Sequence, residues 1–138
     1  PAVVEASAGV DRALLTILAD AFTQEDVNGE SRTVLKLSPK IAPIKVAVFP
    51  LMNKNNMPEL SEKIVEDIRN AGIASFYDSG GSIGKRYRRQ DEAGTPFGIT
   101  VDHDTLENHT VTLRDRDTMK QERISINEII DNFSKKIH

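Results

Sequence analysis

The densest group of side chains capable of chemistry is Lys85-Arg86-Tyr87-Arg88-Arg89, which follows Gly80-Gly81-Ser82-Ile83-Gly84. A glycine-rich turn that opens a helix presents backbone N–H groups, and the helix dipole favours an anion there. Four cations on the next turns strengthen that field, so a phosphate backbone is the matching ligand. The pattern is not a Walker loop, because Lys85 is followed by Arg86 rather than Ser or Thr. The same spacing also fits a solvated helix whose charges pair with Asp91 and Glu92. A second group is Arg114-Asp115-Arg116-Asp117, with Lys120 and Arg123 further on. Guanidinium donors beside carboxylate acceptors suit the Watson–Crick edges of unstacked RNA bases. Cross-strand ion pairing on an exposed sheet face would use the same residues.

Two smaller groups carry less. Asp102-His103-Asp104, with His109 nearby, has the donor types of a divalent-metal site and would permit a small metal-dependent hydrolase. Neighbours on a strand face opposite ways, however, and a polar loop accounts for the run more simply. Glu5, Ser7, Asp11 and Arg12 precede an apolar helix, where buried charges would need partners. No serine–histidine pairing stands out for nucleophilic catalysis.

Composition narrows the classes. The chain has 138 residues, 38% hydrophobic and 28% charged, the balance of one water-exposed globular domain. It has no cysteine, which removes disulfides and thiolate metal sites and fits a reducing compartment. The net charge is −3, so a nucleic-acid binder of this composition must gather its Lys and Arg on one face. No apolar run approaches the roughly 20 residues that span a bilayer, and the start does not read as a signal peptide.

The elements that would position these groups can be read from periodicity. Val3 and Val4 suit a short strand, followed by a turn at Ser7-Ala8-Gly9. Leu14, Leu15, Ile17, Leu18, Ala21 and Phe22 are apolar on most sides of one helix, which should be buried. So short a chain offers little to bury it against. The expectation is that residues 1–22 were cut from a larger domain, leaving this helix poorly packed or covered by a partner. Thr23 to Ser38 reads as a linker or a β-hairpin turning at Asn28-Gly29. From residue 39 onward, a strand at 44–50, a helix from Met57 to Ala71 closed by Gly72, and a strand at 74–77 form a βαβ unit. A helix from Ser82 to about Glu92 and strands at 97–101, 110–116 and 120–125 follow. A helix capped by Ser125 with Glu128 closes the pattern. The order β-α-β-α-β-β-β-α predicts a mixed sheet with helices packed on it.

Three segments carry a family likeness. Val3 to Arg12, including Glu5-Ala6-Ser7-Ala8-Gly9, resembles the last signature motif of class II aminoacyl-tRNA synthetases in its glycyl form. Asp78 to Phe97, and Thr112-Leu113-Arg114-Asp115-Arg116-Asp117-Thr118-Met119, are similar to the anticodon-binding domain of the glycyl-tRNA synthetase family. All three stand in the family's order. The family commonly has proline where this chain has Ala6, and alanine where it has Arg88.

The resemblance implies an α/β fold: a three-layer α/β/α anticodon-binding domain at 39–138 with a five-stranded mixed sheet. A strand-helix remnant of the class II catalytic domain and a linker would precede it at 1–38. It further implies ATP-dependent attachment of glycine to tRNA-Gly by the whole enzyme, with Mg2+, in a homodimer and in the cytoplasm. Arg12 would contact ATP, and Glu5 and Ser7 would hold the glycine amino group. Lys85, Arg86, Arg88 and Arg89 would meet tRNA phosphates, and Arg114, Asp115 and Arg116 would meet base edges. Two signature motifs are missing, so the chain alone is expected to be inactive and to bind no cofactor. The alternatives are the same domain from a prolyl, threonyl or histidyl synthetase, or a non-catalytic nucleic-acid-binding accessory protein of this fold. The glycyl motif and the joint presence of Glu5, Ser7 and Arg12 stand against both.

Overall fold

The computed structural model describes residues 2–7 and 9–137. The turn expected at Ser7-Ala8-Gly9 includes Ala8, which lies outside them. Val3 and Val4 are exposed coil rather than a strand, having no partner strand among the described residues. Helix α1 (Val10–Ala21) runs directly into a β-hairpin of β1 (Phe22–Val27) and β2 (Glu30–Leu35). Asn28 and Gly29 both have positive φ, which the two-residue turn demands. Five helical positions of α1 (Val10, Leu14, Leu15, Ile17 and Leu18) are exposed apolar residues, and only Ala21 is buried.

The remaining strands form one sheet in the order β4-β3-β5-β6-β7. These are β3 (Val46–Pro50), β4 (Ser75–Tyr77), β5 (Phe97–Val101), β6 (Thr110–Asp115) and β7 (Gln121–Ser125). The first three are parallel, as βαβ connections through α2 (Met57–Asn70) and α3 (Ile83–Ala93) require. Strands β6 and β7 join antiparallel, giving a mixed sheet. The Asp102-His103-Asp104 run, expected as a loop, opens a short helix α4 (His103–Asn108). A reciprocal capping box between Asp102 and Thr105 supplies its nucleus, which a reading of apolar periodicity does not see. Ser125 caps a single 3-10 turn at Ile126–Glu128, and α5 (Ile129–Ile137) begins after it.

Alternation assigns the faces. Val46, Val48, Phe97, Ile99, Val101, Val111, Leu113 and Ile124 point to one side, where Ile64, Val65 and Ile68 of α2 and Ile129, Phe133 and Ile137 of α5 complete the core. Ala47, Phe49, Gly98, Thr100 and Arg114 point to the other, beneath α3. Tyr87 of α3 lies on that face. Its ring meets Phe49 edge-on at 4.9 Å, and its hydroxyl is 2.5 Å from Thr100 Oγ1. Gly98 makes room for it: a Cβ there would sit 2.6 Å from Tyr87 Cε1. Gly98→Ala should therefore cost about 1–3 kcal/mol through overpacking. Urea denaturation would read this as a lower midpoint, and an unchanged midpoint would contradict the tight α3–sheet contact.

Candidate nucleic-acid interface

The basic helix is assembled from its own loop. Asp78 Oδ1 accepts from the Gly80 N–H at 2.9 Å, and Asp78 Oδ2 accepts from Arg89 Nε and Nη2 at 3.1 and 2.8 Å. Arg89 Nη2 also donates to the Gly80 carbonyl at 2.6 Å. Burial acts most strongly on the Asp78 carboxyl and pushes it up, but the Arg89 and Gly80 hydrogen bonds together leave it below its usual value. Arg86 is 3% exposed and donates to the carbonyls of Pro50, Ser79 and Gly81, the last two at 3.0 and 2.9 Å. Two of the four cations thus hold the glycine-rich turn in place, Arg86 from within and Arg89 from the surface. Lys85 and Arg88 project outward, with Arg88 only loosely paired to Glu30 at 3.4 Å. The strip available to a phosphate backbone is therefore Lys85, Arg88 and the exposed part of Arg89. Ser82 caps the helix, and its Oγ takes up the Lys85 N–H at 3.5 Å.

The second group divides in the same way. Arg114 lies over the Tyr87 ring at 4.7 Å and donates both Nη groups to the Asp91 carboxylate, at 2.9 and 3.2 Å. Asp115 Oδ1 closes the β6–β7 turn by accepting from the N–H groups of Asp117 and Thr118. Arg116 is 2% exposed. It donates to the carbonyls of Gly94 and Leu37 at 2.9 and 2.7 Å and pairs with Asp117 at 2.9 Å. These three residues do not converge on one ligand face. Asp91, weighed as a partner for the basic helix, serves Arg114 and Arg32 instead.

Arg32 was not among the expected residues. It is 1% exposed on β2 and donates to Asp91 at 3.2 Å, to Glu25 at 2.9 Å and to the Arg116 carbonyl. Its signal was present: Arg32 and Val34 share one face of a strand, and both are buried. Thr23 to Ser38, expected as a linker or a β-hairpin, thus contains a hairpin pinned to α3 and to the β6–β7 turn through a buried charge network. The Lys36 hydrogen bond holds the Glu25 carboxyl below its usual value, against a weaker opposing effect of burial.

Glu5 and Ser7 lie in the coil before α1 and Arg12 in its first turn, and all three are exposed. Their charges therefore need no partner within this chain. Among the described residues no group of three His, Asp or Glu side chains is placed to hold a metal ion. Asp102 is instead engaged by Thr105 and by Arg123 of β7, at 2.6 and 2.8 Å. Those Arg123 hydrogen bonds, with the Thr105 N–H and against the effect of burial, bring the Asp102 carboxyl from 3.8 to about 2. No described helix is long and apolar enough to cross a membrane.

Residues 45–136 match the family model described as an anticodon binding domain. The chain is 51% identical over 137 residues to the glycine–tRNA ligase of Chlorobaculum tepidum, a match covering 99% of this chain and 29% of that protein. It is 52% identical over 137 residues to the glycine–tRNA ligase of Caldanaerobacter subterraneus, with the same two coverages. The chain thus spans about 29% of the length of these curated relatives. A prolyl-tRNA synthetase of Cryptosporidium parvum, solved with L-proline and AMP, superposes with a TM-score of 0.69 at 23% identity. That match covers 75% of this chain and 22% of that one, and it speaks for the fold.

Two outcomes follow from this geometry. Asp91→Asn removes the buried carboxylate shared by Arg32 and Arg114, leaving Arg32 only the partly exposed Glu25, and should destabilise by about 3–5 kcal/mol. Hydrogen exchange in the 22–35 hairpin should quicken by more than exchange in α2, and equal hairpin protection in the variant and the unmodified protein would refute the pinning. The Asp102–Arg123 pair adds stability that is whole above pH 3.8 and lost as pH falls through about 2, since the folded-state value is the lower one. A carboxyl NMR titration should give Asp102 a midpoint near 2 that climbs toward 3.8 in Arg123→Met. A midpoint near 3.8 in the unmodified protein would remove the bridge.

Proposed function

Because the chain belongs to the anticodon binding domain family, we propose that it is the tRNA-reading end of a glycine–tRNA ligase, with tRNA-Gly as its partner. The observation that carries this reading is identity near 50% along almost the whole chain to proteins of that activity. The whole enzyme would activate glycine with ATP and Mg2+ and pass it to tRNA, acting as a homodimer in the cytoplasm. Glu5 and Ser7 would grip the glycine ammonium and Arg12 would touch ATP, in a site completed by parts beyond these residues. Their exposure here, beside the uncovered apolar surface of α1, supports that reading. The chain alone would bind RNA and catalyse nothing.

Residues 1–38 would derive from the catalytic part, and 39–138 would form the anticodon-binding unit. Mechanically the hairpin travels with the second unit, because Arg32 is bonded to Asp91 and to the Arg116 carbonyl. RNA phosphates would be met by Lys85, Arg88 and Arg89. Arg114 and Asp115, both partly exposed at the end of β6 but on opposite faces of the sheet, would each meet the anticodon from the face it lines. Arg86 and Arg116 would serve the same surface from inside, by fixing the loops that carry it.

Binding to a tRNA-Gly anticodon stem-loop, with an altered anticodon as control, tests the proposal. Affinity should fall with salt and favour the glycine anticodon. Lys85→Ala or Arg88→Ala should each flatten the plot of log affinity against log salt by about 0.7–0.9. Equal affinity for both stem-loops would leave a basic surface without a reader. Absence of binding at low salt would remove the proposed function.

A further inference from the structure

Strand register leaves one polar face of the sheet uncovered. Gly98, Arg114 and Gln121 form one cross-strand row on the α3 side, and Thr100, Thr112 and Arg123 form the next. Tyr87 occupies the row ends on β5. Beyond it, on β6 and β7, Thr110, Thr112 and Ser125 are half-buried, while Gln121 and Arg123 are exposed. No apolar side chain stands on this part of the face, so it has no stake in being covered by protein core.

Arg123 occupies the centre of that shelf, and its hydrogen bonding is complete. Nε donates to Thr110 Oγ1 at 2.8 Å. Nη1 donates to Asp102 Oδ2 and Thr112 Oγ1 at 2.8 and 3.0 Å. Nη2 donates to Asp102 Oδ1 and the Thr110 carbonyl at 2.6 and 3.2 Å. A guanidinium has five N–H groups in one plane, and all five are taken. Its charge is met by Asp102. Yet 33% of the side chain remains exposed. A ligand therefore finds neither a free donor nor an unpaired charge there. What remains on offer is the flat face of the guanidinium, a surface on which unstacked bases pack. Gln121, two residues along the same face and about 7 Å away, brings an exposed amide with a donor and an acceptor.

We propose that Arg123 is a stacking platform for one unpaired RNA base, with Gln121 reading that base's edge. This rests on the chain being an RNA-binding domain, and it adds a site separate from the phosphate strip on α3. The Asp102 bridge is the device that makes the platform. It cancels the charge that would otherwise draw a phosphate and, with the Thr110 and Thr112 oxygens, holds the guanidinium by its edges.

The test follows the Arg123 Nε–Hε signal in 1H–15N spectra. Either the tRNA-Gly stem-loop or a short unstructured RNA oligonucleotide is added to the unmodified chain. A base above the plane shifts Hε upfield by its ring current. Arg123→Lys, which keeps the charge and loses the plane, should bind RNA roughly tenfold more weakly with an unchanged salt slope. An unmoved Hε at saturating RNA would overturn the platform, as would full affinity in Arg123→Lys. So would a salt slope reduced by about 0.7, the mark of a phosphate contact. If the oligonucleotide moves Hε while the stem-loop shows no anticodon preference, the platform stands and the anticodon reading fails. The reverse result defeats the platform alone, and binding of neither RNA defeats both.

Discussion

The carboxylate of Asp91, 1% exposed near the end of α3, lies between Arg32 of the hairpin and Arg114 of the sheet. A buried charge of this kind is tolerated only when its oxygens are fully engaged, and here two guanidinium groups from distant parts of the chain engage them. The polar side of the domain is organised by that requirement. Arg114 is drawn onto Tyr87, Tyr87 fills the space above Gly98, and α3 is thereby set across the sheet. Arg32 continues through the Arg116 carbonyl to the β6–β7 turn. Removing the charge at Asp91 would loosen α3 and the hairpin from β6, and neither α3 nor the hairpin contributes to the apolar core between the sheet and helices α2 and α5.

This arrangement changes what the basic residues mean. The net charge of −3 requires any RNA surface to be local. Among the seven residues expected to meet RNA, Arg86 and Arg116 are buried donors to backbone carbonyls, and Asp115 closes a turn. Arginine is suited to such work because one planar group satisfies several acceptors in fixed directions. The structure thus uses several of these arginines to shape loops, and of the basic run on α3 it leaves Lys85, Arg88 and part of Arg89 to face solvent. A binder built this way gains less from long-range attraction and more from shape, which suits recognition of a folded RNA loop rather than any polyanion.

The hairpin joins the two halves of the chain mechanically. The last residue of α1 adjoins the first of β1 with no intervening loop, and the hairpin is held by Arg32 and by the Arg116–Leu37 hydrogen bond. Whatever covers the apolar surface of α1 in a longer protein would be held at a definite orientation to the sheet. The shared fold with a prolyl-tRNA synthetase at 23% identity places the sheet and its helices among features that tolerate wide sequence change.

Alternation and 3.6-residue spacing located the strands of the main sheet and the helices α2 and α5, because both are local consequences of burying one face, and the Ser82 cap with the stop at Gly94 located α3. The sequence also marked the basic turn at 80–89 and the exposed apolar α1. It missed α4, whose capping box is a side-chain event with no apolar stripe behind it. It could not separate Lys85 and Arg88 from Arg86, or Arg114 from Arg116, since neighbours in a charged run look alike until their acceptors are known. Those acceptors lie far along the chain: Pro50 for Arg86, Leu37 for Arg116, Asp91 for Arg32 and Asp102 for Arg123. Which cation faces solvent is set by long-range contacts between elements, and only the folded chain brings those partners together.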